Sequence, residues 1–237
     1  MRRSKRAGWP EVIEFLLEES TVITVWGRER GVCVKKVLWC LEELKLDFER
    51  IDAGKQYGVI DTLDYLKMNR NGLVPTLKDG DFVLWESNAI MRYLALQYGA
   101  PTFYPQGAKE HADVNRWLDW SMGALWGDIS TAFIQLIRTP EPQRNLAAVE
   151  AASKNLAKNW TIADEYLEGK AYITGDHFTI ADVALGVLAQ TWVFLNLKDR
   201  PHLPNFDAWY KRIEVRDGFK RYAELPPEPV TPKKQAA

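Results

Sequence analysis

The hydrophobic pattern of the first part of the chain alternates between strands and helices. Residues 21–26 are apolar and β-branched and predict a strand, and apolar positions at helical spacing then predict a helix from about residue 33 to 44. Residues 46–53 predict a second strand, and residues 61–69 the helical part of the connection that follows it. Because a helix joins the first two strands, these strands should be parallel.

The next segment predicts a β-hairpin and a helix. The run "VPTLKDGDFVLW" contains two short apolar stretches on either side of Asp79-Gly80, a dipeptide typical of tight hairpin turns. Ser87 then has the residue type of a helix N-cap, and the helix should end at Gly99. This order of elements is the thioredoxin-like arrangement, which we predict for residues 21–99.

The rest of the chain predicts helices throughout. Residues 100–108 contain two prolines and a glycine and are interpreted as a linker. An all-helical domain is expected over residues 109–224, with helices at 109–138, 146–167, 180–195, 206–212 and 217–224. Residues 1–20 are interpreted as an N-terminal extension, and the proline-rich, charged residues 225–237 as a disordered tail. The predicted fold class is therefore α/β plus all-α.

Composition and charge exclude several classes of function. The net charge of −1 offers no electrostatic attraction for nucleic acid or an anionic membrane. No apolar stretch approaches the ~20 residues of a membrane span, and Glu14 interrupts the apolar run near the N-terminus, which argues against a signal peptide. The three histidines are scattered without metal-ligand spacing, so no metal is expected.

The two cysteines, Cys33 and Cys40, indicate a reducing compartment. On one helix their Cα atoms would be roughly 10 Å apart, which is too far for a disulfide. With no disulfide framework, a cytoplasmic location is expected. Cys40, in the middle of the predicted helix among apolar neighbours, is interpreted as a core residue.

The Val74-Pro75 pair is a candidate for ligand contact. It precedes a predicted strand of a thioredoxin-like unit, a position where a cis peptide bond turns the main chain outward. With that geometry the N–H and C=O groups of Val74 would face a cleft and could pair with an extended peptide. The alternative is a trans proline at the start of an edge strand.

Glu86 and Ser87 form a second candidate, at the start of the helix after the hairpin. A hydroxyl and free N–H groups at a helix start can bind a carboxylate, and Glu86 can pair with an ammonium group. Together they would bind the amino-acid end of a ligand, which carries both charges. The alternative is an ordinary N-cap beside a glutamate of no special function.

Four segments of the chain together resemble one known family. "VLWCLEEL", "NGLVPTL", "WESNAIMRYL" and "FTIADVAL" are similar to the cytosolic glutathione S-transferases, in bacterial-type form, and the resemblance extends from residue 21 to about 224. The Val-Pro and Glu-Ser motifs at this separation are specific, although either alone is weak. In the last segment, Thr179 and Asp182 can form a capping box at a helix start.

The resemblance implies that the first domain binds glutathione as co-substrate. The Val74 main chain, next to Pro75, would pair with its cysteinyl residue, and Glu86 and Ser87 would bind its γ-glutamyl end. Leu73 lies beside this edge, at a position where many members have a basic residue for the glycyl carboxylate. The candidates to replace that contact are Arg70, Lys55 or another residue of the loop 54–60.

The resemblance also implies a second substrate and a partner. The all-helical domain would form a pocket for a small hydrophobic electrophile, for which Trp120 and Arg138 are the candidates, although most aromatic residues on that helix should be core. A homodimer and a role in detoxification are expected, as is usual in the family.

Activation of the glutathione thiol requires a group that stabilises its thiolate. Lowering a thiol pKa from about 8.5–9 to about 6.5 requires roughly 3 kcal/mol. A helix N-terminus contributes ~0.3–1 kcal/mol, rising toward ~2, and a hydrogen bond to a charged group ~1.5–3 kcal/mol. A donor is therefore needed. Similar bacterial members have a Ser or Thr hydroxyl here, but this chain has Gly31, and Cys33 replaces an asparagine.

Three interpretations remain open. Arg28, Arg30 or main-chain N–H groups stabilise the thiolate, and the chain conjugates glutathione to electrophiles. Alternatively, Cys33 forms a mixed disulfide with glutathione, and the chain is a thiol transferase or disulfide reductase. In the third, the protein binds glutathione without catalysis. Cys33 and Arg30 are the candidate catalytic residues.

Overall fold

The N-terminal part of the protein is built on a mixed four-stranded sheet with the strand order β2-β1-β3-β4. The structure is a computed structural model that describes residues 22–198 and 200–226. The strands are β1 (Ile23–Trp26), β2 (Phe48–Ile51), β3 (Thr76–Asp79) and β4 (Phe82–Trp85). β1 and β2 are parallel, whereas β3 runs antiparallel to both β1 and β4. The predicted parallel pair and hairpin are confirmed.

Three helices complete this domain: α1 (Val32–Leu44), α2 (Leu63–Met68) and α3 (Ser87–Tyr98). Their order among the strands confirms the predicted thioredoxin-like arrangement. The prediction that Ser87 is the N-cap of α3 was wrong by one residue. Glu86 is the N-cap, with a φ of 73°, and Ser87 is the first helical residue. Glutamate rarely adopts a left-handed conformation, so its residue type did not indicate this turn.

The C-terminal domain consists of helices, as predicted. A long helical path contains α4 (Ala108–Trp120) and α5 (Gly127–Phe133), with π-helical segments at Ser121–Trp126 and Ile134–Arg138. The remaining helices are α6 (Leu146–Leu167), α7 (Ile180–Leu195) and α8 (Pro204–Glu214), and a π-helical turn follows at Phe219–Ala223. α7 is buried along most of its length. The capping box of Thr179 and Asp182 opens α7, as predicted.

α1 is held between the two domains by the packing of Trp39. The Trp39 ring lies edge-on to Phe219, with ring centroids 5.3 Å apart. A Cβ atom at Gly218 would lie 2.2 Å from Trp39 Cδ1, so only glycine allows this approach. Arg216 also donates two hydrogen bonds to the Glu43 carboxylate of α1, at 2.9 and 2.6 Å. Cys40 is fully buried here, as predicted for a core residue.

Two predictions fall on the ends of the chain. The proposed extension at residues 1–20 lies outside the described residues, as does the proposed tail beyond residue 226. Within the described ranges, none of the helices combines the length and the apolar character required to cross a bilayer.

Candidate active site

Strand register brings the ends of three chain segments to one edge of the sheet. Trp26, the last residue of β1, pairs with Thr76, the first residue of β3. Thr76 also pairs with Trp85, the last residue of β4. The segments that enter or leave these three positions are therefore neighbours. They contain the start of α1, the Val74-Pro75 turn and the start of α3, so the sheet itself assembles the sequence-predicted motifs.

A buried polar network supports the turn before Pro75, where the Val74–Pro75 peptide bond is cis, as predicted. The Tyr65 hydroxyl donates to the Leu73 carbonyl at 2.6 Å, and Asn69 Nδ2 donates to the same oxygen at 2.9 Å. Burial raises the pKa of Tyr65, which keeps its hydroxyl protonated as a donor. The main chain of Val74 forms no hydrogen bond with any residue that the structure describes, and it remains available for a ligand.

The start of α3 is also open to a ligand. Glu86 is exposed and Ser87 is buried, with 3% of its surface exposed. Neither side chain caps the helix, and within the described ranges the Ser87 hydroxyl has no hydrogen-bond partner. Because the first N–H groups of a helix lack intrahelical partners, Ser87 and these groups form a site suited to a carboxylate.

The start of α1 lacks a side-chain donor of the usual kind. Gly31 is the N-cap and provides no side-chain hydrogen bond, so the first N–H groups of α1 are also uncapped. A Cβ atom at Gly31 would lie 3.4 Å from Arg28 Nη2, which places the Arg28 guanidinium beside the missing side chain. Cys33, the second helical residue, is half-buried.

Comparison with known proteins identifies the family. Models of the glutathione S-transferase N-terminal and C-terminal domains match residues 21–96 and 147–212. The chain is 36% identical to glutathione S-transferase GstB of Escherichia coli K12 over 207 residues, which cover 86% of this chain and 99% of that protein. The chain belongs to the glutathione S-transferase family.

Solved structures agree with this assignment. A theta-class glutathione S-transferase of Xanthomonas axonopodis pv. citri, crystallised with glutathione bound, superposes with a TM-score of 0.82. It is 40% identical in sequence, and the match covers 87% of this chain and 99% of that one. A further relative found by sequence, glutathione S-transferase F13 of Arabidopsis thaliana, is 32% identical, over 82% of this chain and 92% of that protein.

The predicted residues of this glutathione S-transferase fall into two groups. Those near the edge of the sheet are Arg28, Arg30, Cys33, Leu73, Val74, Pro75, Glu86 and Ser87. Leu73 has 63% of its surface exposed, which leaves it open to solvent beside Val74. The second group, Trp120 and Arg138, lies on the long helical path of the C-terminal domain.

Trp120 and Arg138 differ in their surroundings. The Trp120 ring lies edge-on to Trp117 at 5.2 Å, and Trp117 packs in the same way on Tyr166 of α6 at 5.1 Å. Arg138 Cζ lies 5.5 Å from the centre of the Phe133 ring. Phe133 lines a narrow cleft of about 20 Å³ beside Arg30. Arg138 thus approaches this cleft through Phe133, whereas the Trp120 ring packs on Trp117 in the direction of α6.

The cleft separates the start of α1 from the helical domain. It is lined by Arg30, Val32, Lys35, Phe133, Gln190, Thr191, Phe194 and Leu225. Lys35 is almost fully buried, and its amine donates to the carbonyl oxygens of Ala223 at 3.0 Å and Leu225 at 2.5 Å. Burial, with a smaller contribution from Arg30, lowers the pKa of Lys35 to about 8. The end of the helical domain is thereby attached beside Arg30.

Sequence reasoning missed the residues that support the site rather than contact a ligand. Tyr65, Asn69 and Thr76 hold the turn at Leu73, and Asn88 holds the start of α3 by donating to the Leu118 carbonyl at 2.7 Å. Asn69 lies two residues before the motif "NGLVPTL", and Asn88 lies within the motif "WESNAIMRYL". A polar residue in or next to a recognised motif is the signal that could have found them.

Gly31→Ser is expected to strengthen thiol activation. The backbone of Gly31 is extended, with a φ of −74°, so serine fits there. Its Cβ would lie 3.2 Å from Arg28 O and Val34 Cγ2, a tight but adjustable contact. One hydrogen bond to a thiolate contributes ~1.5–3 kcal/mol, so kcat/KM for conjugation at pH 6.5 should rise up to about tenfold. The rate would be measured with a chromogenic aryl halide.

Gly107→Ser is the matched control for this variant. Gly107 is likewise an uncapped, extended N-cap, but it begins α4. The Gly107→Ser variant should leave the pH dependence of conjugation unchanged. An unchanged pH–rate profile in Gly31→Ser would contradict the view that this position lacks a donor.

Proposed function

We propose that this chain binds glutathione at the edge of the sheet and conjugates it to small apolar electrophiles. The main support for this proposal is the strand register. Trp26, Thr76 and Trp85 lie in one row, which brings together the start of α1, the turn before β3 and the start of α3. The structural relative from Xanthomonas, whose crystals contain glutathione, supports this reading. In this proposal the Val74 main chain pairs with the cysteinyl residue of glutathione, and Glu86 and Ser87 bind its γ-glutamyl ammonium and carboxylate.

We infer that charge and main-chain donors replace the missing hydroxyl. The uncapped N-terminus of α1 contributes ~0.3–1 kcal/mol toward a thiolate. A charge-assisted hydrogen bond from a guanidinium contributes ~1.5–3 kcal/mol. Arg28, beside Gly31, and Arg30, in the cleft, are the candidates for that guanidinium. Together, the contribution of the helix N-terminus and that of one such hydrogen bond reach the roughly 3 kcal/mol that a two-unit shift in the thiol pKa requires.

The electrophile would occupy the cleft between α1 and the helical domain. Phe133, Phe194 and Val32 provide apolar surface next to Arg30, which suits a small hydrophobic molecule. Because the cleft measures about 20 Å³, side chains must move apart before such a substrate enters. Arg138, whose Cζ atom lies 5.5 Å from the centre of the Phe133 ring, retains its proposed role at the pocket. Trp120 remains a candidate as a residue of the same helical path, although its ring packs on Trp117 in the direction of α6.

A homodimer in the cytoplasm, with a detoxifying role, completes the proposal. Three large apolar side chains of β4 and α3 are exposed: Phe82 by 46%, Trp85 by 43% and Leu96 by 58%. Trp85 directly precedes Glu86 and Ser87, so a dimer contact that covers its exposed side chain would border each glutathione site.

The position of Cys33 favours one alternative function. Unlike the buried Cys40, Cys33 is half-buried at the second residue of α1, beside the uncapped N–H groups at the start of that helix. A mixed disulfide between Cys33 and glutathione would make the protein a thiol transferase or disulfide reductase.

Cys33→Ala separates the two functions. If the protein is a conjugating enzyme, the variant should retain conjugation of an aryl halide within about threefold, because Cys33 supplies none of the proposed binding contacts. Both activities would be measured on wild type and variant, with glutathione binding followed by calorimetry. Loss of a glutathione-dependent disulfide reduction in the variant would instead support the alternative. A wild-type protein that binds glutathione and catalyses neither reaction would contradict both enzymatic functions.

A further inference from the structure

Lys36, in the second turn of α1, is a fully buried lysine without a paired carboxylate. Its side chain is 0% exposed, and its amine contacts Asn88 Oδ1 at 3.3 Å and Met122 Sδ at 3.4 Å. Both partners are neutral, and among the described residues no carboxylate forms an ion pair with it. Because burying an unpaired ammonium is costly, a purely structural role would be served better by an apolar residue.

Lys36 lies behind the starts of both α1 and α3. It follows Cys33 by three residues and therefore shares a face of α1 with it. Its partner Asn88 comes directly after Ser87 and donates in turn to the Leu118 carbonyl of α4 at 2.7 Å. The amine is thus one hydrogen bond from the helix start that binds the γ-glutamyl end in the proposed function. It also links that helix start to the helical domain.

The charges that face Lys36 belong to the site itself. Burial lowers the pKa of its amine, and the opposing influences come from the thiolate form of Cys33 on α1 and the carboxylate of Glu86 at the start of α3. From the helical domain it is faced by Met122, which does not titrate. A buried ammonium that has no paired carboxylate is stabilised by an anion bound nearby. Because this coupling is reciprocal, the ammonium stabilises the bound anion by the same free energy.

We propose that Lys36 is a positioning residue that supplies, from within the protein, part of the positive charge that stabilises the glutathione thiolate in place of a hydroxyl. Through Asn88 it also fixes the start of α3 relative to α1 and the helical domain. The inference rests on the proposed function, because it concerns the sulfur of bound glutathione. In the proposed function, donors that contact glutathione stabilise its thiolate. Lys36 adds a positive charge that acts without contacting the ligand.

Lys36→Gln and Lys36→Met test the charge. Glutamine keeps a donor for Asn88, and methionine keeps the length of the side chain. The ultraviolet absorbance of the bound thiolate would be titrated against pH in each variant. We expect the pKa of the bound thiol to rise by about one unit in both variants and the pH profile of kcat/KM to move with it. Lys36→Arg, which keeps the charge, should titrate close to wild type.

Lys45→Met is the matched control, because it removes the same charge from the exposed C-terminal end of α1. It should leave the thiol titration unchanged. Met122→Glu tests the same idea with Lys36 intact, which guards against variants of Lys36 that fail to fold. Its carboxylate would pair with the amine and raise the pKa of the bound thiol, whereas Met122→Gln would not.

The outcomes distinguish this inference from the proposed function. A wild-type thiol pKa in Lys36→Gln, Lys36→Met and Met122→Glu overturns the inference, even if melting temperature or glutathione affinity falls, because those losses reflect packing alone. A wild-type protein that binds no glutathione overturns the proposed function and this inference together.

Discussion

Ser87→Ala is expected to raise the Kd for glutathione about 10- to 100-fold. The proposed hydrogen bond from the Ser87 hydroxyl to the γ-glutamyl carboxylate involves a charged group and is worth ~1.5–3 kcal/mol. Isothermal titration calorimetry with glutathione measures the change directly. The hydroxyl has no hydrogen-bond partner among the described residues, so the folded state should lose little stability. The melting temperature should therefore stay close to that of wild type.

Ser153→Ala provides the control for this substitution. Its hydroxyl donates to the Lys198 carbonyl at 3.0 Å in the helical domain, away from the sheet edge. The glutathione affinity of this variant should equal that of wild type. If Ser87→Ala bound glutathione as tightly as wild type, the start of α3 would not be the γ-glutamyl site.

Asp182→Ala is expected to destabilise the fold by at least about 3 kcal/mol. The Asp182 carboxylate is fully buried and accepts hydrogen bonds from the main-chain N–H groups of Ile173 and Thr179, at 3.0 and 2.9 Å. It also accepts from Thr179 Oγ1 at 3.1 Å and from Trp209 Nε1 at 2.9 Å. Alanine would leave these buried donors without an acceptor, and each such loss carries a desolvation cost.

Thermal and urea unfolding measure this effect. For a chain of this size ~1 kcal/mol corresponds to about 2–4 °C, so Tm should fall by about 6–12 °C or more. Asp176→Ala, at an exposed position in the segment before α7, is the control and should change Tm by less than about 2 °C. An Asp182 variant as stable as wild type would show that water replaces the carboxylate at little cost.

Local patterns explain why much of the fold was predictable. The order of strands and helices follows from apolar periodicity, and the Asp79-Gly80 turn and the Thr179–Asp182 capping box follow from short-range chemistry. The start of α3 was displaced by one residue because Glu86 adopts a left-handed φ that its residue type does not favour.

The support of the site was not predictable in the same way. Lys36 stands in an amphipathic helix, where a lysine is normally solvated, and the two residues that its amine contacts lie 52 and 86 positions away. Trp120 and Phe133 lie on the same long helical path, and only the packing of that path decides which aromatic ring lines the cleft beside Arg30.

By itself the sequence determined the family, the order of elements and the motifs that mark the site, because each is encoded by neighbouring residues. Only the tertiary structure decided that Trp26, Thr76 and Trp85 form one row and that Arg28 lies beside Gly31. It also decided that Lys36 is buried behind both helix starts. The physical reason is that strand register, burial and the field of a buried charge arise from contacts between distant parts of the chain.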